Sequence, residues 1–112
     1  MSCGLSEGMR ANIVSIVDAL VGGNSAHLAA RGELGRLTAA QVDGVVRGYG
    51  RTLRSLPEEA WTYVRVYERG DGSAGVDVDL WTTEEGRSDL TLQLESRVEN
   101  GGRLVVYDLR VL

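Results

Sequence analysis

The hydrophobic period of this chain changes once, near Trp61, and this change limits the possible folds more than any other feature. Before it, apolar residues such as Met9, Ile13 and Ile16 recur at the spacing of an amphipathic helix. After it, apolar and polar residues alternate, as they do in strands with one buried face. Because the helical part precedes the strand part without interleaving, the sequence predicts an α+β fold.

The chain of 112 residues is expected to form one domain, residues 1–112, with a flexible start at 1–6 and a helical half at 7–56. A first helix is predicted over residues 7–21, with Ser6 as its N-cap. A short second helix is expected over residues 26–31.

A third helix begins at a capping box formed by Thr38 and Gln41, and Pro57 is expected to end it. Small residues at four-residue spacing line one face of this helix: Ala40, Gly44 and Gly48. Each glycine costs a helix about 1 kcal/mol relative to alanine. The stripe therefore predicts close packing against another part of the chain, with a groove for a partner as the alternative.

Residues 61–112 predict a curved, four-stranded antiparallel meander on which the helices pack. The predicted strands cover residues 61–69, 75–83, 89–98 and 103–111, and the predicted turns are Gly70–Gly72, Glu85–Arg87 and Asn100–Gly101. In the last strand, Val105, Tyr107, Leu109 and Val111 are expected to face the core, with Val106, Asp108 and Arg110 on the opposite side.

One predicted strand carries acidic groups and a tryptophan on the side that should not be core. Val76, Val78 and Leu80 point one way, so Asp77, Asp79 and Trp81 point the other way. An aromatic residue among charges is typical of an interface hot spot. The predicted contact surface comprises Asp77, Asp79, Trp81, Glu84, Glu85, Arg87, Asp89 and Glu95. For Trp81 a core position stays open, because a single bulge would reverse its direction.

The charge of the chain is unevenly distributed. The net charge is -4; residues 1–56 carry six Arg and four acids, giving +2, and residues 57–112 carry six Arg and twelve acids, giving -6. Such a field repels phosphate backbones and attracts basic proteins. The sequence thus disfavours nucleic-acid binding and favours a basic protein partner, the alternative being that the acids only solvate the sheet.

Few residues are suited to metal binding or catalysis. Cys3 and His27 are each the single residue of their type, so no intrachain disulfide or cysteine–histidine metal cluster can form. A calcium loop starting at Asp71 fails, because Val76 and Thr82 stand where glycine and glutamate are required. Asp77 and Asp79 would need a pocket that raises one pKa before they could act as acid and base. No cofactor, metal or catalytic residue is predicted.

No signal peptide or membrane-spanning run is recognisable, and a cytoplasmic location is expected.

The segment LWTTEEGRSDLTLQL, together with GRLTAAQVDGVVRGYGRTL and YDLRVL, is similar to a family of small, uncharacterised bacterial proteins. That resemblance supplies no catalytic residues. Small acidic proteins of this kind resemble antitoxin or immunity proteins, which implies occlusion of a partner. The element order also resembles NTF2-like and cystatin-like domains, which implies a pocket between helices and sheet for small-molecule binding or weak catalysis. A homo-oligomer that uses the first or last strand as an exposed edge is the third alternative.

Overall fold

The computed structural model describes residues 6–70, 72–97 and 103–111. Its helices are α1 (Glu7–Val21), α2 (Ser25–Ala30) and α3 (Ala39–Tyr49), and a 3-10 helix covers Glu58–Tyr63. Its strands are β1 (Leu53–Arg54), β2 (Arg65–Glu68), β3 (Ala74–Thr82), β4 (Gly86–Ser96) and β5 (Leu104–Val111). The predictions for residues 1–5, for Asp71, for the Asn100–Gly101 turn and for Leu112 lie outside the described residues.

The strands form one open, curved antiparallel sheet with β3 and β4 at its centre. The strand order is β1–β3–β4–β5, and β2 also pairs with β3. β1 lies beside the Trp81–Thr82 end of β3, whereas β2 lies beside residues 74–77, so the two short strands share one edge of β3. The α+β prediction is confirmed, but the sheet has five strands instead of four because β1 was not predicted.

Local capping signals determine where two of the helices begin. The Ser6 hydroxyl accepts a hydrogen bond from the Met9 amide at 3.1 Å, and α1 covers the predicted residues 7–21. At α3, the Gln41 amide donates to the Thr38 hydroxyl at 3.0 Å and the Thr38 amide donates to the Gln41 side chain at 2.9 Å. The predicted capping box is therefore present.

The end predicted for α3 is wrong. The helix stops at Tyr49, because Gly50 adopts a left-handed conformation with φ of 74°. Leu53 and Arg54 then pair with β3, so Pro57 precedes the 3-10 helix and does not end α3. That 3-10 helix also occupies the start of the strand predicted over residues 61–69, which begins only at Arg65.

The apolar core lies between the three helices and one face of the sheet. α1 contributes Ile13, Ile16, Val17 and Leu20, and β3 contributes Val76, Val78 and Leu80. Side chains of α2, α3 and the loop between them complete the helical side of the core: Leu28, Leu34 and Val42. The described residues of α1, α2 and α3 thus pack on this face of the sheet and leave the other face of β2, β3 and β4 uncovered by these three helices.

The predicted core face of the last strand is largely wrong, because β5 contains a bulge. Gln93 pairs with Asp108 and Leu94 with Val106, so Tyr107 is an additional residue without an opposite partner. An extra residue reverses the alternation of side chains. The core residues of β5 are Leu104, Val106 and Leu109, whereas Val105 is only half-buried and Tyr107 and Val111 are exposed.

Backbone groups along the outer edge of β5 are already hydrogen-bonded. The Leu104 amide donates to the Asn12 side chain at 2.9 Å, and the Leu109 amide donates to the Asp108 carboxylate at 2.9 Å. Between them, the Val106 amide donates to the Glu33 carbonyl at 2.7 Å. The loop after α2 therefore lies against the sheet edge.

Two glycine positions have opposite surroundings. Gly35 lies in the loop beside β5 with φ of 56°, and a Cβ there would lie 2.7 Å from the Val106 carbonyl oxygen. By contrast, a Cβ on Gly44 or Gly48 would meet nothing within 4 Å. The prediction that the small-residue stripe of α3 packs closely inside the domain is therefore wrong, since this face of the helix is exposed.

We expect Gly35→Ala to lower the free energy of unfolding by about 2 kcal/mol or more, because alanine adds both left-handed strain and a backbone clash. Gly44→Ala is the matched control and should raise it by about 1 kcal/mol, through helix propensity alone. Urea denaturation of both variants measures the two changes. Equal effects of the two substitutions would contradict the close approach of Gly35 to β5.

Candidate functional site

The candidate site is the face of β2, β3 and β4 that points away from the helices, and we call it the outer face. Its side chains come from alternate strand positions and from arginines just beyond the strand ends. They are Arg65, Tyr67, Arg69, Asp77, Asp79, Arg87, Thr91, Gln93, Glu95 and Arg97.

Asp79 lies at the centre of the outer face and binds arginines from the strands on both sides. Its Oδ1 accepts from Arg65 Nη2 at 3.0 Å and its Oδ2 from Arg87 Nε at 3.0 Å. The Thr91 hydroxyl adds a third contact at 3.3 Å. Burial raises the pKa of Asp79, but the hydrogen bond and charge of Arg65 and the charge of Arg87 outweigh it, so the pKa lies below its usual value.

Glu95 also binds two arginines, and one of them reaches it across β3. Arg69 Nη1 donates to Glu95 Oε2 at 2.9 Å, and Arg97 Nε donates to Oε1 at 2.8 Å. Arg69 follows β2, whereas Glu95 is on β4, so the arginine passes over Gly75 of β3. A Cβ on Gly75 would lie 2.9 Å from Arg69 Nη2, so glycine leaves the space for this crossing.

Asp77 has neutral partners in addition to arginine. The Tyr67 hydroxyl donates to its Oδ2 at 3.3 Å, and Gln93 Nε2 donates to its Oδ1 at 3.5 Å. Arg65 Nε lies 3.9 Å from Oδ2. Hence Arg65 lies between the two aspartates and contributes to neutralising both.

The outer face does not display its acids, contrary to the prediction of an acidic surface. The side chains of Asp77, Asp79 and Glu95 are between 8 and 12% exposed, while the four arginines are between 39 and 52% exposed. Four arginines against three carboxylates give the cluster a formal charge of +1. Arginines from the neighbouring strands cover the acids, and the alternation within a single strand does not reveal them.

Acidic residues of the β3–β4 turn form hydrogen bonds with the helical half of the chain. Glu84 accepts hydrogen bonds from the Thr52 amide and hydroxyl, both at 2.8 Å. The hydrogen bond from the Thr52 amide is the main reason that the pKa of Glu84 is lowered. Glu85 accepts from the Tyr49 hydroxyl at 2.9 Å. Asp89 is exposed, and its amide donates to the same tyrosine hydroxyl at 3.3 Å. Glu84 and Glu85 therefore have structural partners, although their side chains, like that of Asp89, are exposed to solvent.

Trp81 is buried. It is 7% exposed, it lies opposite Arg87 across the strand pair, and it is not part of the apolar cluster under the helices. Gly86 lies against its ring, since a Cβ there would be 3.8 Å from Cζ3. Its indole Nε1 has no hydrogen-bond partner among the described residues. The sequence left open whether Trp81 is a core or a surface residue. Because the side chain is buried, Trp81 packs within the sheet and is not an exposed interface residue.

The structure also has a cleft, but it lies between the helices and not under the sheet. Its volume is about 310 Å³, and its lining residues are Leu20, Gly23, Ser25, Asp43, Val46 and Arg47. The Ser25 hydroxyl donates to the Asp43 carboxylate at its edge.

Neither a metal cluster nor a membrane span is found in the part of the chain that the structure describes. Over residues 6–70, 72–97 and 103–111, no three His, Cys, Asp or Glu side chains converge as metal ligands. No helix in these ranges has both the length and the apolar character needed to cross a bilayer.

We expect Asp79→Asn to destabilise the domain at neutral pH by roughly 2 kcal/mol, because it removes the charge that two arginines share. The folded-state pKa of Asp79 is lowered, so its stabilising effect is complete above the unfolded value near 4 and is lost as pH falls through the folded value. The stability gap between wild type and variant should therefore narrow below pH ~4. Asp89→Asn, at an exposed carboxylate, is the control, and denaturant unfolding from pH 7 to pH 3 is the measurement. A gap that does not change with pH would refute the ion-pair role.

Because Trp81 is buried, we expect Trp81→Ala to lower the free energy of unfolding by about 3 kcal/mol or more. Tyr107→Ala, at an exposed aromatic of β5, should cost much less. Thermal melts and urea denaturation of the two variants distinguish these effects. An unchanged midpoint for Trp81→Ala would show that the indole ring is not part of the packed structure.

No curated protein and no solved structure is significantly similar to the chain. A family model does match, over residues 17–112, which includes the last part of α1 (residues 17–21), all later helices and every strand. The resemblance to an uncharacterised family is thus confirmed at the level of the family: the chain belongs to the family described as a domain of unknown function, DUF7668.

Proposed function

We propose that this domain is a non-enzymatic protein-binding module that works through the outer face. The observation that carries the proposal is an ordered layer of arginine and tyrosine side chains on a sheet face that α1, α2 and α3 leave uncovered. Tyr63 and Tyr67 are 38 and 48% exposed, and the Arg87 guanidinium stacks 4.1 Å above the Tyr63 ring. Arginine and tyrosine are enriched at protein interfaces and dominate their hot spots.

The state of the carboxylates supports binding over catalysis. A general acid at neutral pH needs a raised pKa, and a general base needs a carboxylate that is free to take a proton. The pKa of Asp79 is instead lowered, and both of its oxygens are held by arginine. Glu95 is held in the same way by Arg69 and Arg97. These acids are therefore suited to fixing the positions of arginines.

The basic partner that the sequence suggests requires displayed acids, and the outer face covers them with arginine. We therefore propose a protein partner that is not basic. Neutralisation of a partner by covering its working surface, as immunity proteins and antitoxins do, would be one use of such a module. A cytoplasmic setting and a bacterial source remain part of this proposal.

The small-molecule function implied by the NTF2-like resemblance has weaker support. It requires a pocket between helices and sheet, whereas the cleft described above lies among α1, α2 and α3. Its volume of about 310 Å³ is at the lower limit for ligand sites. A small ligand of that cleft would contact Asp43 and Arg47 and would leave the outer face unused.

The test is to select peptides from a random phage-displayed library on the intact domain and to map where they bind by ¹⁵N-¹H NMR. We expect the shifts to concentrate in β2, β3 and β4. Tyr67→Ala should weaken binding by roughly 2 kcal/mol, as expected for a hot-spot residue. Tyr107→Ala is the control, because Tyr107 is similarly exposed, at 45%, but lies on β5. Peptides that map to the helices, or a selection without binders, would refute the proposed function.

A further inference from the structure

We propose that the partner of the outer face is an acidic protein segment whose carboxylates are bound by Arg87 and Arg69. The proposal rests on the function proposed above and specifies the chemistry of the partner. It also reverses the charge that the sequence alone suggests for that partner.

Arg87 has an unused pair of donor nitrogens that the fold holds in place. Its Nε donates to Asp79, while Nη1 and Nη2 make no hydrogen bond to any residue that the structure describes. Stacking over Tyr63 orients the guanidinium plane, and the side chain is 48% exposed. Two parallel N–H groups in a fixed plane match the two oxygens of a carboxylate. Arg87 is thus pre-organised for a carboxylate from outside the domain.

Arg69 provides a second position, with one donor nitrogen instead of two. Its Nη1 is occupied by Ser73 and Glu95, whereas Nη2 has no hydrogen bond within the described residues. The side chain is 43% exposed, and its path over Gly75 keeps it extended across the face. Arg87 and Arg69 belong to opposite ends of the cluster, so an extended acidic segment that lies along the sheet could contact both.

Charge distribution favours an acidic partner at this face in particular. Residues 57–112 carry six Arg and twelve acids, and the outer face contains four of these Arg but only three of these acids. The remaining two Arg and nine acids give -7 elsewhere in this half. Charges act over about 8 Å at physiological salt, so the partner that touches the face encounters its local positive charge.

The same charges favour a protein over a nucleic acid. Nucleic-acid binding relies on many basic side chains along a phosphate backbone. Here four arginines and three carboxylates give a local charge of only +1, which is too little to bind a run of phosphates. The exposed Tyr63 and Tyr67 rings beside the arginines instead suit the apolar side chains of a peptide.

The experiment uses library peptides that NMR maps to the outer face. We expect them to be enriched in Asp and Glu, and their Kd to rise with salt. Arg87→Lys and Arg69→Lys keep the positive charge beside Asp79 and Glu95 but remove the planar fork, so each should raise Kd about tenfold. Arg51→Lys, at an exposed arginine just after α3, is the matched control and should leave Kd unchanged. Thermal melts verify that each variant folds.

If Arg87→Lys lowers the melting temperature, Tyr63→Leu provides the second variant, because it removes the surface that orients the guanidinium without touching an ion pair. It should also raise Kd. Outer-face peptides enriched in Lys and Arg, or an unchanged Kd in the lysine variants, would overturn the inference and leave the proposed function standing. Tighter binding of duplex DNA than of acidic peptides at this face would overturn it as well. Peptides that do not map to the outer face would refute the proposed function itself.

Discussion

The carboxylate of Asp79, bound between Arg65 of β2 and Arg87 of β4, is the interaction on which the arrangement of the sheet depends. It connects three strands on the face opposite the apolar core. A one-residue slip of either neighbouring strand would turn its arginine toward the core, where a charge without a partner is very costly. A buried ion pair gives little net stability, but an arrangement that leaves one of its charges buried without a partner is strongly destabilised. The outer face thus adds an electrostatic penalty for a wrong register to the one that the apolar face already imposes.

The features of the fold that could be predicted are those set by neighbouring residues. The capping box of Thr38 and Gln41 involves four consecutive positions, and the alternation in β3 needs only one strand. The early end of α3 was also predictable in principle, because glycine at position 50 is a common C-terminal signal. The bulge at Tyr107 was not, since an additional residue is defined only by the partner strand opposite it. The same limit applies to β1, whose two residues form a strand only because β3 lies beside them.

For the candidate site, the sequence identified which acids share a face but not what covers them. Strand alternation correctly places Asp77 and Asp79 together, opposite Val76 and Val78. Their exposure depends on arginines from other strands, and strand pairing is not visible in one segment. The sequence nevertheless contained a sign of this. Arg65 and Tyr67 are two residues apart in the neighbouring predicted strand, so their side chains lie on the same face of it. Considering opposite charges across adjacent strands would have indicated a neutralised face.

The hydrogen bonds along the edge of β5 have a consequence for aggregation. An exposed strand edge can recruit a strand from another molecule, and natural sheets protect such edges with bulges, inserted charges or covering loops. β5 has all three: the bulge at Tyr107, the charged pair Asp108 and Arg110, and the loop whose Glu33 carbonyl accepts from Val106. A second copy would have to break these contacts before it could extend the sheet there. Self-association through a strand edge would therefore have to use β1 or β2, and the longest edge of the sheet is protected against intermolecular β-pairing.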